Sequence, residues 1–256
     1  MHWEVWEMAS KQMLNVNGKG KGRFGEGVTK YFLLIADILL LILFGVIEPG
    51  FWQVSNLMDI VSTAALVGTM GMGASIVMTV GEMNFGVGAE ATLSAAMLGW
   101  ILGQGQMNIY IVGVVIALLV IGFVGVINSW FGVILGVPAF IATLAISKIN
   151  DGFVNLLTEG RTMYYNTWPE AFKVLGQGKI GPIPVLAVVF IIIALILWFI
   201  MDKTRLGAYI QAVGNNENCC RQVGINVRRI KIIAFVICSL VCGFSGILSC
   251  SKTVNV

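Results

Sequence analysis

Charge is what this sequence has least of. Of its 256 residues only 11% are Asp, Glu, Lys or Arg, while 57% are hydrophobic. Soluble domains carry about 25% charged residues. From Ala91 to Ser147 there is no charged residue at all, and mean hydropathy is +0.89. That is more apolar surface than a soluble body of this size buries, which argues against a soluble enzyme, a nucleic-acid binder or a disordered tail. Histidine is almost missing too: the only one is His2. Its scarcity removes Ser-His-Asp and Cys-His nucleophile pairs and HExxH zinc chemistry. No GxxxxGK[ST] occurs, so no P-loop and no ATPase site of that kind is expected here. Two GxGxxG matches, at 20–25 and 176–181, follow no strand of a βαβ unit and are read as accidental. The five cysteines, Cys219, Cys220, Cys238, Cys242 and Cys250, are odd in number and form no C-x-x-C. This argues against a disulfide framework or zinc site and for buried-thiol packing. The mixed-charge N-terminus lacks the short apolar core of a cleavable leader, and none is expected.

What is present is a series of long, continuous apolar runs. In lipid only helices and closed barrels satisfy their own backbone, and continuous rather than alternating apolar patterning selects helices. Runs at 31–47, 57–80, 88–102, 109–135, 139–157, 183–201 and 230–249 predict an all-α, polytopic transmembrane bundle of about seven spans. Residues 1–30 read as a polar lead-in, and 31–256 as the membrane domain. Lys and Arg set the orientation. Five lie at or before Lys30 and six between Lys203 and Lys231. Both basic segments fall on the cytoplasmic side if the N-terminus is inside and six spans separate them. The net charge of +3 therefore reports topology, and no nucleic-acid partner is expected. The segment 158–182, nearly neutral, then lies outside.

Six ionisable residues fall inside or beside the spans: Asp37, Asp59, Glu82, Glu90, Lys148 and Asp151. Such residues tend to face the bundle interior or a pathway, or to lie at span ends. Ala64, Gly68, Gly71, Gly73, Ala74 and Ser75 on the second span, and the Gly132/Gly136 GxxxG, supply small residues of the kind that let membrane helices approach closely.

The loop at 202–229 is long and patterned. Asn216-Glu217 suits the start of a short helix with its acid at the favourable end of the dipole, and Gly224 suits its C-terminal cap. A short helix there could dock a cytoplasmic partner or rest on lipid headgroups. Thr204, Arg205, Gly207, Ile210, Ala212, Gly214, Asn216, Gly224, Ile225 and Val227 match a loop pattern of the permease subunits of sugar-type (ribose-, xylose- and galactose-like) bacterial ABC importers. Val137-Pro-Ala-Phe-Ile-Ala-Thr-Leu144 resembles that family's A-F-I-A-T-L segment. Gly81-Glu-Met-Asn-Phe-Gly-Val-Gly88 is similar to its G-G-I-D-L-S-V-G, with Asn84 in place of Asp and Gly86 in place of Ser. The resemblance covers roughly 51–253. Relatives continue further, so the chain is expected to be C-terminally truncated, with an incomplete membrane domain.

The resemblance implies a multi-pass permease subunit of the bacterial plasma membrane. Its partners would be a cytoplasmic ABC ATPase that binds the ATP, a second permease copy or paralogue, an extracytoplasmic substrate-binding protein, and the lipid bilayer. No cofactor would be held by this chain. Gly214, Asn216, Glu217, Cys219, Cys220, Arg221 and Gly224 would couple to the ATPase. The outer segment would receive the binding protein through Tyr164, Tyr165 and Trp168, residues that also suit interfacial anchoring. Asn84, Phe85 and Asn128 would offer a sugar its amide partners and an aromatic face. A nucleoside permease of the same machinery, or a stand-alone secondary transporter, are the alternatives.

Overall fold

The computed structural model describes residues 23–48, 50–103, 110–163 and 170–253. They are almost wholly helical. The chain divides into two compact units, 1–57 and 58–256.

The first unit holds α1 (Arg23–Ile47), an apolar helix whose last turns close against the chain that follows. Gly45 lies under the Trp52 indole, where a Cβ would meet the ring. Phe51 stacks on Phe44 at 6.3 Å and meets Trp52 edge-on at 5.3 Å. The opening residues of α2 (Val54–Thr79) belong to this unit as well.

In the second unit the remainder of α2 is followed by α3 (Val87–Gly103), α4 (Tyr110–Ser129), α5 (Ala139–Thr158), α6 (Glu170–Gln177), α7 (Val185–Lys203), α8 (Arg205–Asn215), α9 (Glu217–Gln222) and α10 (Val227–Thr253). A two-stranded antiparallel ribbon, β1 (Lys179–Ile180) with β2 (Ile183–Pro184), turns at Gly181. Among the described residues five helices are long and apolar enough to cross a membrane: α2, α4 with its extension, α5, α7 and α10. Two shorter apolar helices, Leu34–Ile47 and Val87–Gly103, coincide with the first and third of the seven apolar runs. The α-helical, multi-pass reading stands.

The core forms around α10. Of its apolar window 56% is buried, against 11% for α7. In lipid there is no hydrophobic drive between helices, so close approach and interhelical hydrogen bonds must supply the association. The small residues of α10 do this on three sides. Gly246 is packed so tightly that a Cβ would run into the Ala91 carbonyl of α3. Ser94 of α3 donates to the Gly243 carbonyl at 2.8 Å, and Ser245 donates to the Leu66 carbonyl of α2 at 2.8 Å. Toward α4, Gly125 faces Ser239 and the Phe235 carbonyl.

Two sequence expectations need amendment. The Gly132/Gly136 pair is not a helix face: α4 widens after Ser129 into a π turn over Trp130–Ile134, and Gly136 lies beyond it at φ +71°. The 158–182 segment is not all loop, for it contains α6 and the first strand of the β ribbon. Phe172 of α6 is buried, and the Gly176 backbone rests directly on Ser251 and Lys252 of α10. This segment therefore gathers at one end of the bundle, with the end of α10. Helices α8 and α9 gather at the other, with the start of α10.

Candidate functional site

At the α8–α9 end, caps and apolar contacts within the chain shape two short helices. Thr204 caps α8, its hydroxyl accepting from the Gly207 amide at 3.3 Å and donating to the Ile200 carbonyl at 2.6 Å. Ile210 and Val213 on one face of α8 bury against Ile76, Val80, Ile230 and Ala234. The end of α8 touches the end of α2 backbone to backbone, for a Cβ on Gly214 would collide with the Thr79 carbonyl. Asn216 then caps α9, accepting from the Cys219 amide at 3.0 Å. Gly224, at φ +82°, turns the chain out of α9, a backbone conformation costly to any residue with a Cβ. Asn226 caps α10 through the Arg229 amide at 3.1 Å. Cys220 points inward and is buried; Asn218, Cys219, Arg221, Gln222 and Val223 are exposed.

A single ammonium ties this end together. Lys231 donates to Glu82 at 2.6 Å and to Glu217 at 2.9 Å, and only 12% of its side chain is exposed. Glu217 also pairs with Arg221 one turn along α9. The hydrogen bond from Lys231 is the main cause holding the Glu217 carboxyl below its usual range, with Arg221 adding to it against partial burial. Glu82 lies in the non-helical stretch 80–86 between α2 and α3, so Lys231 joins α9 to that stretch.

The stretch 80–86 runs inward from there. Lys231 and Cys238 are seven residues apart on α10, roughly 10 Å of rise. The extended step from Glu82 to Asn84 covers much of that distance, because Asn84 comes within 3.6 Å of the Cys238 sulfur. Irregular backbone at that depth must find its partners within the protein. The Phe85 amide donates to Thr143 of α5 at 3.1 Å, and the Gly86 amide to Asn84 at 2.8 Å.

Beyond it is a buried polar knot. Glu90, in the first turn of α3, is fully buried. Its Oε1 accepts from Asn84 at 3.1 Å and from Asn128 of α4 at 2.8 Å. Ser239 of α10 stands beside the same carboxyl. Of the residues expected to meet substrate, Asn84 and Asn128 are thus brought together, on an acid that had been picked out only as ionisable. The Phe85 side chain is exposed and separate from them. Tyr164, Tyr165 and Trp168 lie outside the described residues. The seven expected coupling residues all fall on α8, α9 and the turns that bound them.

Lys231 and Glu90 were missed as site residues because their partners are remote: Glu82 is 149 positions from Lys231, and Asn128 is 38 from Glu90. The available signal was chemical: an acid in an apolar run must find donors within the bundle. The remaining flagged charges are elsewhere. Lys148 and Asp151 form an exposed pair one turn apart at 3.0 Å. Asp59 offers only its carbonyl to Lys252. A cavity of about 720 Å³ between α3, α4 and α5 is hydrocarbon-walled apart from Asn150, the wrong chemistry for a hydroxyl-rich solute. Among the described residues no cluster of His, Cys, Asp and Glu suits a metal ion.

Residues 56–256 match a family model described as the branched-chain amino acid transport system / permease component. The chain belongs to that permease family. Among curated relatives, the ribose import permease protein RbsC of Escherichia coli K12 is 30% identical over 224 residues, covering 86% of this chain and 68% of its own. The galactofuranose transporter permease protein YtfT of the same organism is 27% identical, covering 84% of this chain and 64% of its own. The D-allose transport system permease protein AlsC, also from that organism, is 26% identical, with 87% and 68% covered. No solved structure matches. As a family member this is a transport subunit rather than an enzyme, a multi-pass protein of the bacterial plasma membrane.

Proposed function

We propose that this permease passes a monosaccharide or a similar small polar solute, driven by a separate cytoplasmic ATPase seated on α9, with no ATPase site of its own. The sugar assignment is supported by the named transport of the three relatives above. The coupling assignment is carried by one observation: α9 presents an exposed face at the basic end of the bundle, and Lys231 ties it to the irregular stretch 80–86. A push on α9 therefore bears on Glu82 and on the backbone that leads to Asn84. Discontinuous helices of this kind are where transporters place solute sites, since free backbone groups and amide side chains are exposed there. Movement of packed units about such a break is the expected form of alternating access. A second permease copy would complete the pathway, and a binding protein would deliver solute at the α6 end.

The test is affinity purification of the tagged chain from native membranes, with mass spectrometry of what accompanies it. An ATP-binding-cassette ATPase is expected, and its loss when Glu217 and Arg221 are both replaced by alanine in a chain that still folds. Folded wild-type chain that carries no such ATPase overturns the reading and favours a stand-alone transporter.

A further inference from the structure

Among the long spans α5 is the least apolar. Its mean hydropathy is 1.2, against 1.7 to 3.0 for the other four. The difference comes from one face. Lys148, Asp151, Gly152 and Asn155 recur at i, i+3, i+4 and i+7, so they share one side of the helix. That side is open. The side chains of Lys148 and Asp151 are 79% and 45% exposed, Asn155 is exposed, and a Cβ on Gly152 would meet nothing within 4 Å. Among the described residues neither charge has a partner but the other. Ile146, Phe153 and Leu157 lie on the opposite side, along the hydrocarbon-walled cavity shared with α3 and α4. The helix thus packs through one face and carries a polar stripe on the other.

Depth decides what can cover this stripe. Lys148 is the tenth and Asp151 the thirteenth of the 20 residues of α5. Asp151 is therefore roughly 10 Å of rise from the nearer end. A lysine can snorkel along its stem, but an aspartate side chain is too short to do so. Charged side chains inside spans turn to the bundle interior or to a water-filled cavity. The interior of this bundle is on the other side of α5. A dry protein face would have to strip water from both charges, which their attraction does not repay without further hydrogen bonds. Water is the cover that fits.

We infer that the Lys148–Asp151 face of α5 is a wall of the water-filled solute path, and that the pair is a contact for a neutral, hydroxyl-rich solute. The solute class rests on the proposed function; the wetness of the face does not. The ammonium donates to a hydroxyl oxygen, and the carboxyl accepts a hydroxyl hydrogen. At 3.0 Å apart the two groups can be touched by one hydroxyl, or by two on neighbouring carbons. Asn155, one turn on, adds an amide donor and an acceptor. Gly152 leaves open space between them for a ring to lie against the helix. The pair has no net charge, so it gives a charged solute no advantage over a neutral one. Thr143 of the same helix holds the Phe85 amide, so α5 also joins this wall to the irregular stretch 80–86.

Thiol accessibility tests this. The full chain and its partner subunits are expressed in spheroplasts carrying Gly152→Cys, Asn155→Cys or, as a lipid-facing control, Ile192→Cys of α7. A charged, membrane-impermeant methanethiosulfonate is added from outside. Four of the native thiols are buried and Cys219 lies at the basic end, so the wild-type chain is the blank. The thiolate is the reacting form, so Gly152→Cys and Asn155→Cys should react about tenfold or more faster than Ile192→Cys. D-ribose or D-allose at high concentration should slow both reactions severalfold. Adding Lys148→Met to Gly152→Cys should abolish that protection and leave the reaction itself. Reaction no faster than at Ile192→Cys overturns the proposal. A Gly152→Cys disulfide between two copies, formed in place of the reaction, also overturns it, since the face is then a dry interface. An unchanged rate with both sugars overturns the solute contact. Should Gly152→Cys not fold, Asn155→Cys decides alone. Reaction along the stripe in a chain that brings no ATPase overturns the coupling reading and supports this one; an ATPase without the reaction does the reverse.

Discussion

Two acids on either side of one short irregular stretch are treated in opposite ways. Glu82, at its outer end, meets an ammonium at 2.6 Å that is shared with Glu217 of α9. Glu90, just past its inner end, meets only amides and a hydroxyl. The difference follows depth. Near the end of the bundle water still reaches Glu217, so a charged triad is tolerable and can be remade as parts move. In the middle an ion pair would face a large desolvation penalty, and the acid is surrounded by dipoles instead. The first arrangement ties α9 to the stretch 80–86 through a charge that is costly to leave unpaired. The second joins α3, α4 and the stretch at Asn84 through amide hydrogen bonds alone.

The largest effect should come from making the outer site resemble the inner one. Lys231→Met leaves the Glu82 carboxylate without its cation, and Glu217 with Arg221 alone, at a cost of about 3 kcal/mol, the low end for breaking a buried pair. A thermal midpoint several degrees lower in detergent is the expected result. Charge exchange with Glu82→Lys and Lys231→Glu together should recover part of it. Next in size is loss of one inner donor. Asn84→Ala removes a hydrogen bond to Glu90 and the acceptor of the Gly86 amide, worth about 1–3 kcal/mol if the partner is left buried and unpaired. It should show as faster hydrogen exchange at the first turn of α3.

Acid should separate the sites further. The Glu217 carboxyl is held below its ordinary range by Lys231, so its contribution is fully present above that range and is lost as pH falls through the depressed value. The protection of α9 against hydrogen exchange, corrected for the intrinsic rate, should therefore fall on acidification. The smallest effect is Arg221→Ala. Its pair with Glu217 is exposed and one turn apart, and such pairs contribute about 0.3–0.5 kcal/mol. The melting point should scarcely change, while on the proposed function the combined Glu217→Ala and Arg221→Ala variant should lose the ATPase.

The parts legible in the sequence were those written locally. A cap residue, an acid and a glycine eight positions after Asn216 specify α9, because capping and turn chemistry act over a few residues. Apolar runs specify the membrane helices for the same reason. Helices α8 and α6 read as loop in the sequence, since each is short and amphipathic and packs on a surface distant in sequence: Ile210 and Val213 need Ile76 and Ala234, and Phe172 needs the end of α10. The two acids were recognised as unusual, but their roles depend on which helices meet. Only the fold brings Lys231 to Glu82, and Asn128 to Glu90.

On the proposed function, Lys231 connects α9 and a docked ATPase to the stretch leading to Asn84. Hydrogen exchange at residues 80–86, with the partner ATPase bound and with nucleotide present or absent, tests it most directly. In the wild-type chain, protection of this stretch should change with nucleotide. In Lys231→Met it should stay constant although the ATPase remains bound. An equal response in both chains contradicts the account.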